Sequence, residues 1–178
     1  NLLKQSAPDL IGQGGVAPMV QHGVDRLLSM QTASGGLGYW PGAREPSAWG
    51  TAYATHFLLE ARERGHNVPQ DRLEQILKWM ERALDNNSGR DRYANAYLHY
   101  VLAKAGRARR AQALTLAEAL PASPTGRQAE RAYLLKSAVY LSGDRRYEAD
   151  LRKLDVSAIS SDRHTGGSFY SDQRRRGF

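Results

Sequence analysis

Five histidines, His22, His56, His66, His99 and His164, and no cysteine at all limit the chemistry open to this chain of 178 residues. Without a cysteine there is no disulfide, no thiolate zinc site and no thiol nucleophile. None of the histidines stands in a metal motif such as HExxH. No Gly-x-Ser-x-Gly elbow is present to hold a serine nucleophile. Gly12-Gln-Gly-Gly15 is too loose for a phosphate loop and follows no convincing strand. The acidic pairs Glu60 with Glu63 and Asp150 with Asp155 are scattered over helix surfaces. No residue is therefore assigned a catalytic, cofactor-binding or metal-binding role. His56 and His99 fall in apolar helices, where the expected role is a buried, hydrogen-bonded core histidine.

The formal net charge is +7, from 25 Lys and Arg against 18 Asp and Glu. Such a balance raises nucleic acid as a partner. The distribution argues against it: arginines alternate with acids, as in Glu60-Ala-Arg-Glu-Arg64 and Glu81-Arg82, and no basic helix or base-stacking platform is visible. The length fits one domain with a substantial core. The start at Asn1 and the arginine run at 174–176 are read as marking a piece of a larger protein. Residues 1–15 hold no signal-peptide pattern. The segment 1–15 is expected to be irregular.

Helices must position whatever function the chain has. A first helix is expected over 17–30, from Val20, Val24, Leu27 and Leu28 at helical spacing. Gly35 and Gly36 stop its continuation. A second opens at Ser47, a good N-cap residue after Pro46, and runs to Gly65. It is apolar on almost every side, so it should be surrounded by protein; its apolar run is too short and too broken by polar groups to span a bilayer. The next, 70–84, carries one clean stripe of Leu73, Ile76, Leu77, Met80 and Leu84. The pattern then recurs. Broad-faced helices are expected at 91–105 and 125–141, a shorter charged helix at 107–120, and a last short helix from Asp144 to about 154. A period of roughly 40 residues signals stacked helical pairs. The broad helices should form an inner layer and the one-sided helices an outer layer, in an open solenoid or a closed ring.

A second echo joins Gly35-Gly36 and the pair Tyr39-Trp40 to Gly166-Gly167 and Phe169-Tyr170. Both turns should lead into an inner helix. Glycines permit backbone conformations that other residues resist, and the aromatics could plug the end of a helical ring. Trp49 and Tyr53 are read as core, although a ligand pocket built from Tyr39, Trp40, Trp49 and Tyr53 is the alternative.

The stretches MQTASGGLGYWPG and SAWGTAYATHFLLEARERGHNVP resemble the thioester-containing domain of alpha-2-macroglobulins, the bacterial branch above all. The matching features are the Met30-Gln31 pair ending a helix, the Gly-Gly-aromatic turn, and Trp49-Gly-Thr51-Ala-Tyr53 in the following helix. Gly65-His-Asn-Val-Pro69 and Gly-Gly-Ser-Phe-Tyr-Ser-Asp-x-Arg near the C-terminus match too. The resemblance implies an all-α fold, an α/α toroid of stacked helical hairpins over 16–178, here an incomplete ring. It departs at the centre of the family's chemistry: a Cys-Leu-Glu-Gln or Gly-Glu-Gln thioester segment lies upstream of the Met-Gln turn, and this chain has no cysteine. Gln31, Gly35, Gly36, Tyr39, Trp40, Trp49, Thr51, Tyr53, Gly166, Gly167 and Tyr170 then stand as structural or interface candidates.

What the resemblance implies about function is a scaffold and interface, not an enzyme, within a protease-trapping parent. Its partners would be other domains of that parent and, through the parent, host or foreign proteases, with no nucleic acid and no membrane insertion of this chain. The parent would sit in the periplasm, anchored to the inner membrane in some cases. A helical-repeat module binding a protein or peptide is the alternative, followed by a cyclase or lyase on a toroid.

Overall fold

The structure is a computed structural model, and it describes residues 15–86 and 91–153. The elements are α1 (Val16–Ser29), α2 (Ala48–Glu63), α3 (Gln70–Asn86), α4 (Arg92–Lys104), α5 (Arg110–Glu118), α6 (Arg127–Leu141), a 3-10 turn (Arg145–Tyr147) and α7 (Glu148–Lys153). Each expected helix is present, with ends shifted by up to three residues except at the last, where a 3-10 turn fills the start and α7 opens at Glu148. The described residues contain no strand beyond a single bridge between Gln31 and Leu37. The echo at Gly166, Gly167 and Tyr170 lies outside the described residues, as does the segment 1–14.

The fold is all-α, with helical hairpins stacked in two layers in the manner of an α/α toroid. Helices α2, α4 and α6 stand side by side, α4 packing on both neighbours. Helix α3 lies behind α2 and α4, and α5 lies behind α6. The stripe read on α3 is its buried face: Leu73, Ile76, Leu77, Met80 and Leu84 are all in the core. Burying a leucine or isoleucine of this kind contributes roughly 1.5–3 kcal/mol. A second cluster, with Ala103, Ala113, Ala117, Leu135, Ala138 and Val139, lies between α4, α5 and α6.

The repeat is also written in the helix ends. Helices α2, α4 and α6 close alike, each followed by a glycine with positive φ at Gly65, Gly106 and Gly143. In each case the glycine N–H bonds back to a carbonyl of the last turn: Gly65 to Arg62, Gly106 to Ala103, Gly143 to Tyr140. The next residue reaches one turn deeper, His66 to Ala61, Arg107 to Leu102 and Asp144 to Val139. This paired closure satisfies carbonyls the helix leaves open, and a left-handed residue is needed to make it. Side chains cap two of the starts. Ser47 Oγ accepts from the Gly50 N–H at 3.1 Å, and an Asp91 carboxylate oxygen accepts from the Tyr93 and Ala94 N–H groups at 3.0 and 2.9 Å.

Much of the positive charge is tied to carboxylates. Arg107 pairs with Glu74 and Glu81, and Arg109 with Asp85, fastening the chain before α5 to α3. Lys104 of α4 meets Glu60 of α2 at 2.5 Å. Among the described residues no helix is long and apolar enough to cross a membrane.

Candidate interface: the glycine turn and the aromatic face

The turn between α1 and α2 is built by α3 as much as by its own residues. Its backbone closes through Thr32 N–H to Gly36 O at 2.8 Å, Gly35 N–H to Thr32 O at 3.0 Å, and Gly38 N–H to Met30 O at 3.0 Å. Gly35 has φ +101°, and a Cβ there would lie 2.8 Å from the Gln75 carbonyl oxygen on α3. A Cβ on Gly36 would lie 2.6 Å from the Trp79 ring and 2.7 Å from Pro46 Cβ. Gly35 is needed because the turn meets the backbone of α3, and Gly36 because it lies against the Trp79 ring and the Pro46 side chain.

Arginines from α3 fasten the same turn. Arg72 donates through Nε to Gln31 Oε1 and through a terminal nitrogen to the Leu28 carbonyl at 2.8 Å. Gln31 Nε2 donates in turn to the carbonyls of Gly35 and Arg72, both at 3.2 Å. Arg82 donates to the Ser34 carbonyl at 2.8 Å. Arg72, Arg82 and Trp79 are not among the sequence candidates. The one signal for them was a tryptophan set among charges on the flank of the α3 stripe.

Thr51 joins the turn to α2. Its side chain is fully buried. Its Oγ1 accepts from the Leu37 N–H at 2.9 Å and donates to the Leu37 carbonyl at 3.3 Å. The hydroxyl gives the Leu37 N–H a partner that the bridge to Gln31 leaves it without, and burial without such a partner would cost about 1–3 kcal/mol.

Helix α2 is not buried all round. Its buried residues are mostly small: Thr51, Ala52, Ala54, Thr55, Leu58, Leu59 and Ala61. Trp49 and Tyr53 fan out on the opposite side, while Phe57 packs against the core. Trp49 is 40 % exposed and Tyr53 58 %, their rings stacked at 5.3 Å. Tyr39 and Trp40 are 63 % and 64 % exposed. The expectation that Trp49 and Tyr53 are core is corrected: small residues allow the inner helices to pack closely, and these two large rings are left on the open face. Trp49→Ala is accordingly expected to change stability by less than about 1 kcal/mol, read as a near-unchanged urea midpoint. A loss of several kcal/mol would return Trp49 to the core.

The open face is continuous from α2 to α4. Trp49, Tyr53, His56 and Glu60 run along one side of α2, and Tyr93, Tyr97, Tyr100 and Lys104 along the matching side of α4. His56 Nδ1 is 3.0 Å from the Tyr97 hydroxyl, and its ring meets Tyr97 and Tyr100 edge-on at 5.9 and 5.3 Å. Burial, then the nearby Lys104 ammonium, lowers the His56 pKa. Burial raises Tyr97 to about 12. Hydrogen bonds from Lys104 and Arg64 bring Glu60 down to about 2. The face therefore carries neutral rings and a closed ion pair at neutral pH, an arrangement suited to contact rather than proton transfer.

The two histidines read as core differ. His56 is half-buried and hydrogen-bonded. His99 is 2 % exposed, as expected of a core histidine, and its Nδ1 has no hydrogen-bond partner. Among the described residues, no three His, Asp or Glu side chains come together as a metal site.

Stacked helical pairs, a glycine turn clamped by the outer layer and an exposed aromatic face define the class: an all-α domain of hairpins around an inner helical layer. Within that class the chain resembles the bacterial alpha-2-macroglobulins. It is 36 % identical over 66 residues to alpha-2-macroglobulin of Escherichia coli K12, covering 35 % of this chain and 4 % of that protein. It is 37 % identical over 68 residues to alpha-2-macroglobulin of Pasteurella multocida, covering 38 % and 4 %. The fold is similar to that of trypsin-activated E. coli alpha-2-macroglobulin, with a TM-score of 0.67 and 23 % identity over 81 % of this chain and 10 % of that one. Native E. coli alpha-2-macroglobulin from domain MG7 to the C-terminus gives a TM-score of 0.66 and 23 % identity, over 79 % of this chain and 23 % of that one. No protein-family model matches the chain. Each of the two sequence matches thus takes in about 4 % of the relative's length.

Proposed function

We propose that this chain is part of the thioester-type domain of a bacterial alpha-2-macroglobulin-like protein that traps proteases, and that it serves there as scaffold and interface without chemistry of its own. The likeness in sequence to two bacterial alpha-2-macroglobulins, over a domain with their helical fold, supports this reading. The exposed rings of Tyr39, Trp40, Trp49 and Tyr53 support the interface role, because aromatic residues are enriched where protein surfaces meet. Neighbouring domains of the same parent are the proposed partners, proteases are met only through the parent, and the periplasm is the proposed location.

The full-length gene product tests the reading. After incubation with trypsin, hydrolysis of a large protein substrate should fall while cleavage of a small chromogenic peptide continues. The 178-residue chain alone should neither slow trypsin nor form a covalent adduct with it. Unhindered cleavage of the large substrate in the presence of the full-length product would overturn the proposal.

A further inference from the structure

The side chains that join α2 to α4 on the open face form one cluster in which two donors face a single oxygen. His56 Nδ1 meets the Tyr97 hydroxyl at 3.0 Å. Glu60 Oε1 holds the Lys104 ammonium at 2.5 Å, and its Oε2 holds Arg64 at 2.5 Å. The same Oε1 stands 3.8 Å from His56 Nε2, beyond hydrogen-bond reach. A second carboxylate lies alongside: Glu63 Oε2 is 3.9 Å from Lys104, and Glu63 is in no other ion pair among the described residues. Among the described residues, these contacts are the side-chain hydrogen bonds and ion pairs that link the two helices.

The arrangement fixes one tautomer of the neutral ring. A bare Nε2 lone pair would be repelled by the Glu60 carboxylate, so Nε2 carries the proton and Nδ1 accepts from the Tyr97 hydroxyl. A second proton, taken up at Nδ1, reverses that hydrogen bond. Nδ1–H then donates to the Tyr97 oxygen, and the Tyr97 proton turns to solvent. The imidazolium is drawn through Nε2–H to Glu60 Oε1, where it meets Lys104 as a like charge. Glu63 allows Lys104 to leave that oxygen without losing a carboxylate. We propose that His56 is a proton-operated switch: neutral, it leaves Lys104 on Glu60; protonated, it takes Glu60 and passes Lys104 to Glu63. The charged groups that act on the ring are Lys104 of α4 and Glu60 and Glu63 of α2. Tyr97 and Tyr100 of α4 meet it edge-on and stay uncharged, and no charged group of α1, α3 or α6 acts on it. Burial and then Lys104 outweigh the two carboxylates, so the switch operates below 6.5. Lys104 and Arg64 balance Glu60 and Glu63, so the proton gives the centre of the open face a single positive charge.

NMR titration of the whole chain, from about pH 8 to about pH 5, reads the switch at the His56 ring nitrogens, Lys104 Nζ and the Glu63 carboxyl carbon. The Nε2–H tautomer is expected at the start, followed by one midpoint shared by His56, Lys104 and Glu63. His56→Gln should abolish the Lys104 and Glu63 responses at that midpoint. Lys104→Gln should raise the His56 midpoint and silence Glu63, because the swap runs through the ammonium. Glu63→Gln should lower the midpoint. His99, which burial brings down to about 4, is the group expected to open the fold in acid, so the His99→Leu chain serves as a second sample for the lower half of the range. The tautomer is read where acid stability plays no part. An Nδ1–H tautomer, a Glu63 signal unmoved at the His56 midpoint, or a Glu63 response that survives Lys104→Gln would overturn the proposal.

Discussion

Replacing Gly35 by alanine is expected to lower stability by about 3 kcal/mol, the sum of left-handed backbone strain and a steric clash. The φ of +101° is costly for any residue with a Cβ, and that Cβ would lie 2.8 Å from the Gln75 carbonyl oxygen. The obstacle is helix backbone, so no side-chain rotation relieves it, and α3 or the turn must move. Movement there would also disturb the Arg72 hydrogen bonds to Gln31 and Leu28. A fall of roughly 10 °C in Tm should follow for a chain of this size. Gly42→Ala is the internal comparison: φ is +81° but nothing lies within 4 Å, so only the backbone term of about 1–2 kcal/mol remains. Equal effects at the two positions would show that the close approach of turn and helix is not what Gly35 serves.

Mild acid is expected to weaken the fold before most carboxylates titrate. Burial lowers His99 from 6.5 to about 4, so the unfolded chain binds the proton more readily than the folded one. Stability from this group is fully present above the unfolded value and drains away as pH falls from about 6.5 toward 4. The full loss is about 3 kcal/mol, of which about 2 kcal/mol falls between pH 7 and 5. His56 shifts in the same direction and adds to the slope. Urea unfolding at the two pH values measures the total. His99→Leu should remove most of the difference, and an unchanged slope in that variant would assign the acid lability elsewhere. The paired acids Glu60, Glu74 and Asp85 are held below their usual values by Lys104, Arg107 and Arg109 respectively. They contribute stability that is lost only at lower pH, so they do not obscure the histidine window.

The helices and their layers were legible because their signals are local. The stripe on α3, the cap residue Ser47 and the glycine at 65 each act within a turn or two of chain. The orientation of α2 was not legible. Counting apolar residues treats Ala52 and Trp49 alike, whereas close helix packing selects small side chains for the contact and turns large ones outward. The glycine turn was marked correctly as a special backbone, but its partners were hidden. Arg72 and Arg82 stand off the buried stripe, and only the tertiary fold brings guanidinium groups to carbonyls more than forty residues away in sequence. The buried, unpartnered polar atoms of Asn95, His99 and Arg131 leave no trace in sequence, since an unpaired group looks the same as a paired one.

The hydrophobic interior is divided into two clusters, and α4 borders both, with Tyr97 and Tyr100 packed against each. That division sets how the domain comes apart. A hairpin that touches only its neighbours can detach without dragging the rest with it. Helices α5, α6 and α7 can open while α1, α2 and α3 hold, and the reverse, but loss of α4 removes the common wall of both. Amide exchange should thus be slowest in the middle of α4 and quicken toward either end of the stack, and the order of unfolding would follow position along the arc rather than depth below the surface.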